Sequence, residues 1–224
     1  MILKKNTIYK FIFSVLNFTL LFSEGVWVNY GWELFHYVVD AQTASLGNAV
    51  TAYNTNSIHS SLVNPSFVSS NKNFSITHQS RFSGMVNNDL FGIQLKTSSA
   101  PINLNLLYQG ISNIPDTRDM LLDWGLDGQF GTNDLGEGNG VIDEGERLNV
   151  EKLKFFNQHQ LGFHVAFKSN IFGLKLGLGL KLLGHFLDDH RAIGMGLDIG
   201  YSKKISKSTI GLVARDLPAS GLIW

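Results

Sequence analysis

The chain has 224 residues with 18 cationic and 18 acidic side chains and no cysteine, which excludes a disulfide framework and any thiolate metal site. Charged residues make up only 16% and mean hydropathy is close to zero, a balance that suits neither an ordinary soluble surface nor a helical membrane protein. No apolar run reaches the roughly 18 residues a spanning helix requires, so a membrane protein built from this chain has to be a barrel.

The first element, residues 1–25, reads "MILKKNTIYKFIFSVLNFTLLFSEG". Lys4, Lys5 and Lys10 precede an apolar run from Phe11 to Phe22 that ends at the small residues Ser23 and Gly25. That is the order of a secretory signal peptide, with a buried first helix as the structural alternative.

From residue 73 to 224 the dominant signal is alternation, and it predicts seven strands. They centre on Phe74 and Ile76, on Phe91 to Leu95, and on Ile102 to Tyr108. Then come Leu161 to Phe167, Phe172 to Leu182, Ile193 to Tyr201, and Ile210 to Ala214. Turn signals separate them at 97–101, 168–171, 187–191 and 203–207.

Opposite the apolar positions stand Gly173, Lys175, Gly177, Gly179, Lys181, Gly194, Gly196, Asp198 and Gly200. A face so rich in glycine lacks the bulky polar cover of a water-exposed sheet and suits a crowded barrel interior. In lipid the sheet has to close, because open edges would leave backbone groups unpaired. The expected fold is therefore all-β, an antiparallel transmembrane β-barrel in the outer membrane of a Gram-negative-type bacterium, with outer-membrane lipid as its surroundings. Seven is an odd and small strand number for such a barrel. Either residues 26–39 supply an eighth strand or the chain is C-terminally truncated, with Trp224 a terminal aromatic in the first case and a break in the second.

Residues 116–150 interrupt the alternation with an acidic insertion. Nine of the 18 acidic residues lie between Asp116 and Glu146, opposed only by Arg118. Calcium is the cation to consider, since it takes oxygen ligands and tolerates irregular loops. With Gly140 at position 6 of a twelve-residue calcium loop, Glu137, Asn139, Asp143 and Glu146 fall at positions 3, 5, 9 and 12, while Leu135 fails at position 1. A frame twelve residues earlier places Asp123, Asp127 and Asp134 at positions 1, 5 and 12. The segment reads as two degenerate calcium loops in tandem, 123–134 and 135–146, without flanking helices. A solvated acidic turn is the plain alternative.

"HFLDDH" brings His185, Asp188, Asp189 and His190 close in sequence, and a turn explains it better than a metal site. No nucleophile with a paired base, phosphate loop or dinucleotide fingerprint is present. Scattered basic residues argue against a nucleic-acid partner.

Residues 39–68, "VDAQTASLGNAVTAYNTNSIHSSLVNPSFV", carry Ala41, Leu46, Gly47, Ala49, Ala52, Asn64 and Pro65 in a pattern that resembles the N-terminal signature of the PorV/PorQ family of outer-membrane proteins. Gln42, Asn48 and Ser66 depart from it. The loop "GLDGQFGTNDLGEGNGVIDEGE" is similar to an insertion in some members, and "VARDLPASGLIW" to their strand end. The resemblance implies a FadL-like barrel of about fourteen strands. It also implies a plug-like segment, here residues 26–72, with Asn64 and Pro65 at a tight turn.

By the same resemblance the function is non-enzymatic, in type IX-like protein secretion or surface attachment. Secreted proteins and secretion-system components would be the partners. FadL-like transport of hydrophobic small molecules is the alternative, with Lys175, Lys181 and Asp198 lining a conduit. A secreted calcium-binding β-rich adhesin is the third reading.

Overall fold

A computed structural model describes residues 32–37, 40–68, 74–97, 100–144, 146–171 and 173–223. The expected export signal lies outside the described residues. Nine strands form among them: β1 (Phe74–Arg81), β2 (Val86–Lys96), β3 (Pro101–Asp116), β4 (Leu121–Leu122), β5 (Arg147–Leu148), β6 (Lys154–Ile171), β7 (Leu174–Leu187), β8 (His190–Ile205) and β9 (Ser208–Ile223). Seven of them build one antiparallel sheet in the order β1-β2-β3-β6-β7-β8-β9, and β4 with β5 makes a separate two-stranded ribbon. The expectation of an all-β antiparallel fold holds. Among the described residues β1 and β9 each pair on one side only, so these seven strands form an open sheet and not a closed barrel.

Two boundaries differ from the sequence expectation. The stretch 168–171 is the end of β6 and not a turn, because its backbone stays paired with β7 up to Ile171 opposite Leu174. The reversal falls instead at Gly173, whose positive φ of 78° a glycine adopts without steric cost. The acidic excursion also ends a few residues later than expected, since β3 runs on to Asp116 and β6 starts only at Lys154. A register shift between Ile111 and Ile114 lets the two strands continue past the main sheet.

The two faces of the sheet invert the pattern of a water-soluble protein. One face carries rows of large apolar side chains in register, such as Ile76–Phe91–Leu106–Phe163–Leu182–Met195 across six strands. All six are exposed, from 39% at Phe163 to 70% at Ile76. The next row, Phe74–Ile93–Leu104–Val165–Leu180–Leu197–Leu217, crosses all seven strands and is apolar throughout. Each such side chain left in water forgoes about 1.5–3 kcal/mol of burial.

The opposite face holds the polar side chains and the glycines, and residues 32–68 cover it. That covering segment is short turns of helix joined by irregular chain: α1 (Leu34–Tyr37), α2 (Ala41–Ser45), α3 (Ser60–Val63) and a 3-10 turn, Pro65–Phe67. Asp40 caps α2 by accepting from the Thr43 N–H at 3.0 Å and its hydroxyl at 3.1 Å. Trp32, Leu34, Phe35 and Leu62 pack on Leu90, Leu107 and Leu183, an apolar layer on this face. No helix among the described residues is long and apolar enough to cross a membrane, which has no bearing on crossing by strands.

Strand order also sorts the connections by end. The connections after β1 and β7 share one end with the acidic excursion between β3 and β6. Those after β2, β6 and β8 are short and share the other.

Candidate functional site

Two places concentrate chemistry: the acidic excursion and the polar face beneath residues 32–68. The excursion is fastened at its base. Leu121 and Leu122 pair with Leu148 and Arg147, and Asn149 donates to the Met120 carbonyl at 2.7 Å. Arg118 bridges Asp116 and Asp188, each at 2.7 Å, and so ties the loop to the β7–β8 turn. Lys154 pairs with Asp119 at 2.7 Å, which holds that carboxyl below the usual carboxylate range.

Within the loop the carboxylates accept from backbone N–H groups, and their contacts cross the two twelve-residue frames. Asp123 accepts from Gly138 at 2.8 Å and Gly140 at 2.6 Å. Glu146 accepts from Gly125 at 2.9 Å and Asp143 at 2.8 Å. Glu137 accepts from Gly131 and from Asn133, the latter at 2.6 Å. Asp134 accepts from Asp127 at 2.8 Å and lies directly over Gly125, where a β-carbon would collide with its carboxylate. Asp127 accepts from the Gln129 N–H at 2.8 Å, and Asp143 from the Asn139 side-chain amide at 2.7 Å.

The loop is therefore one interleaved unit and not two loops side by side. Asp134 and Glu146 flank Gly125, while Asp123 reaches across to Gly138 and Gly140. Glu137 and Asp127 turn towards the 127–133 stretch, while Asn139 and Asp143 pair over Gly136. The Gly140 N–H, together with lesser backbone and Glu146 contacts, holds the Asp123 carboxyl below its ordinary value.

For calcium the donor set is chemically apt, since every candidate ligand is a hard oxygen and Asp134 Oδ1 is buried with no hydrogen-bond partner. Among the described residues no group of three or more His, Cys, Asp or Glu is arranged to hold a metal ion. "HFLDDH" does not converge. His185 is buried on the polar face, Asp188 is bonded to Arg118, and Asp188 and Asp189 form the hairpin turn.

The polar face is organised in registered rows. Nearest the short-turn end, Gly177 and Gly200 stand opposite each other and receive Asn64, Pro65 and Ser66. A β-carbon on Gly177 would lie 2.1 Å from the Pro65 backbone, and one on Gly200 2.1 Å from Asn64 Oδ1. Asn64 accepts from the Ser66 N–H at 3.0 Å and donates to the Thr51 carbonyl at 2.8 Å. The expected tight turn is thus a 3-10 turn seated on glycine.

One row further Asn103 donates to the Ile58 carbonyl at 3.1 Å, and in the row after it Asn105 joins His59 at 2.8 Å, the Ser61 hydroxyl at 3.2 Å and His164 at 3.3 Å. These amides supply partners for irregular chain that makes no ladder of its own.

Lys181 and Asp198, expected on this face, do lie on it, whereas Lys175 is exposed near the start of β7. Lys181 contacts Asp198 at 3.0 Å and Asp216 at 2.8 Å, with the Lys181 and Asp198 side chains 3% and 0% exposed. Sequence reasoning missed Asp216, Arg215, His164 and Asn105. The one available signal was "RDL" interrupting an apolar alternation.

Compared with protein-family models, curated proteins and solved structures, the chain matches none.

Proposed function

We propose that the protein is a non-enzymatic outer-membrane β-barrel component of PorV/PorQ type, serving secretion or surface attachment of exported proteins. The observation that carries this reading is the inverted sheet: apolar rows exposed on one face, and amides, glycines and an ion cluster buried on the other. Lipid is the solvent in which such a surface is favourable.

Short connections at one end and a long excursion at the other agree with periplasmic turns and extracellular loops. Irregular chain at membrane depth is tolerated where protein buries it, as residues 57–68 are buried here. The reading requires both edge strands, β1 and β9, to be paired in the membrane. Calcium is the proposed cofactor of the excursion, with Asp123, Asp134 and Glu146 as its first ligands and Asp127, Glu137, Asn139 and Asp143 as the outer set.

Because the chain has no cysteine, single introduced cysteines report topology cleanly. On intact cells a membrane-impermeant maleimide is expected to label Thr132→Cys in the excursion, and Ser206→Cys only after the membrane is opened. The fraction carrying both is expected to shift in gel mobility on heating, as folded barrels do. Recovery in the soluble fraction without that shift would favour the adhesin reading. Loss of fatty-acid uptake on deletion, with surface proteins unaffected, would favour hydrophobic transport. Calcium at a hundredfold excess over its Kd would stabilise the excursion by about 2.7 kcal/mol, and calorimetry showing no heat at millimolar calcium removes that cofactor.

A further inference from the structure

Strand β9 breaks its register beside the ion cluster. Between the pairs Ile199–Ala214 and Leu197–Leu217, two steps on β8 face three on β9. The surplus turns two consecutive residues, Arg215 and Asp216, to the polar face. Asp216 pays for this with φ of 57° inside a strand, in the left-handed region that non-glycine residues seldom adopt.

Both side chains reach the covering segment. Arg215 donates to the Val63 carbonyl at 3.0 Å, and its other terminal nitrogen lies 3.3 Å from His36 Nδ1. Asp216 accepts from Lys181 at 2.8 Å, its N–H donates to Asp198 at 3.0 Å, and its second oxygen stands 3.9 Å from His36 Nε2. The Lys181 ammonium in turn sits over the rings of Trp32 at 5.9 Å and Phe35 at 5.4 Å.

Two cations and two carboxylates thus join β7, β8 and β9 to residues 32–37 and to the end of α3. The cluster is not saturated: Asp198 Oδ2 is buried with no partner. Such a buried oxygen without a partner is uncommon in a folded protein.

We propose that Arg215 and Asp216, presented by the β9 bulge, form with Lys181 and Asp198 a latch that holds the N-terminal segment over the polar face, and that opening it uncovers a passage for small hydrophilic solutes. The solute class follows from the wall beneath the segment. Asn88, Gln109, Gln160, Asn103, Asn105 and His164 are neutral and polar, with the Leu90–Leu107–Leu183 layer and the small Ala166 and Ala192 the buried apolar side chains among them. The inference rests on the barrel reading given above.

Leu34→Cys in the cysteine-free chain places a thiol at a fully buried position of the segment. In the otherwise unsubstituted protein, assembled in membranes, it is expected to resist a hydrophilic maleimide. Asp216→Asn, which tolerates the left-handed backbone, and Arg215→Gln are each expected to raise the labelling rate at least about tenfold. They are also expected to admit a neutral disaccharide in proteoliposome swelling.

Unchanged labelling in both variants, with heat-shifted mobility retained, overturns the latch. Faster labelling without solute entry overturns the passage. If both variants fail to assemble, Arg215→Lys, which keeps the charge on ordinary backbone, must assemble and stay protected, and its failure overturns the latch as well. An unsubstituted protein without heat-shifted mobility overturns the barrel reading instead.

Discussion

The sheet and the acidic excursion both depend on glycine, and they use it for opposite reasons. In β7, β8 and β9 the glycines make room: a β-carbon on Gly177, Gly200 or Gly211 would collide with backbone or side-chain atoms of residues 51–66 within 2.1–2.2 Å. In the excursion, Gly128 has positive φ of 67° and nothing within 4 Å of an added β-carbon, so it is present for its backbone shape. The lesson is that one residue type marks a docking seat where strands are regular and a turn where they are absent. The neighbours, not the glycine, decide which.

That contrast can be broken most directly at the seat. Gly177→Val is expected to unseat residues 64–66 and to cost about 1–3 kcal/mol or more from overpacking. It would be read as a fall in the thermal unfolding midpoint, and an unchanged transition would refute the seat. Asn105→Leu should follow at about 1–3 kcal/mol, because His59, Ser61 and His164 lose the bonds that Asn105 makes to them. Urea titration of the purified protein measures it, and a midpoint equal to the parent would show that the amide row carries no weight.

In the excursion the effects are smaller and local. Gly128→Ala is expected to cost about 1 kcal/mol of loop order and nothing elsewhere. Protease nicking of the loop should rise while the global melting transition stays put; a shift of the global transition would couple loop and sheet.

The least effect is that of pH. The Asp123 carboxyl, held low chiefly by the Gly140 N–H, stabilises the folded loop in its ionised form. Its contribution is complete above its ordinary value of 3.8 and is lost as pH falls through the lower folded value. Limited proteolysis should show equal protection at pH 5 and pH 7 and loosening only below pH 3.8; loosening already at pH 5 would contradict the hydrogen-bond assignment.

Much of the sheet was legible because strand side chains alternate with period two, a purely local rule. Leu174 to Leu182 and Ile193 to Tyr201 declare their faces at a glance, and each emerges on the exposed face. The β6–β7 turn was misplaced by a few residues, since Lys168, Ser169 and Asn170 look like turn residues yet remain paired. Partnering by a neighbouring strand overrode local propensity there. The short β4–β5 ribbon was invisible, as two residues a side carry no period.

The candidate sites divide in the same way. Length, composition and alternation determined that the excursion is acidic and glycine-punctuated, and that Lys181 and Asp198 share the face opposite the leucines. Which carboxylate meets which glycine N–H, and that Asp123 belongs with Glu146 rather than with its own twelve-residue frame, was decided only by the fold of the loop. Likewise Arg215 and Asp216 are consecutive residues that alternation assigns to opposite faces. One extra residue in β9 puts both on the same side, and register against β8 is a tertiary fact that no local pattern encodes.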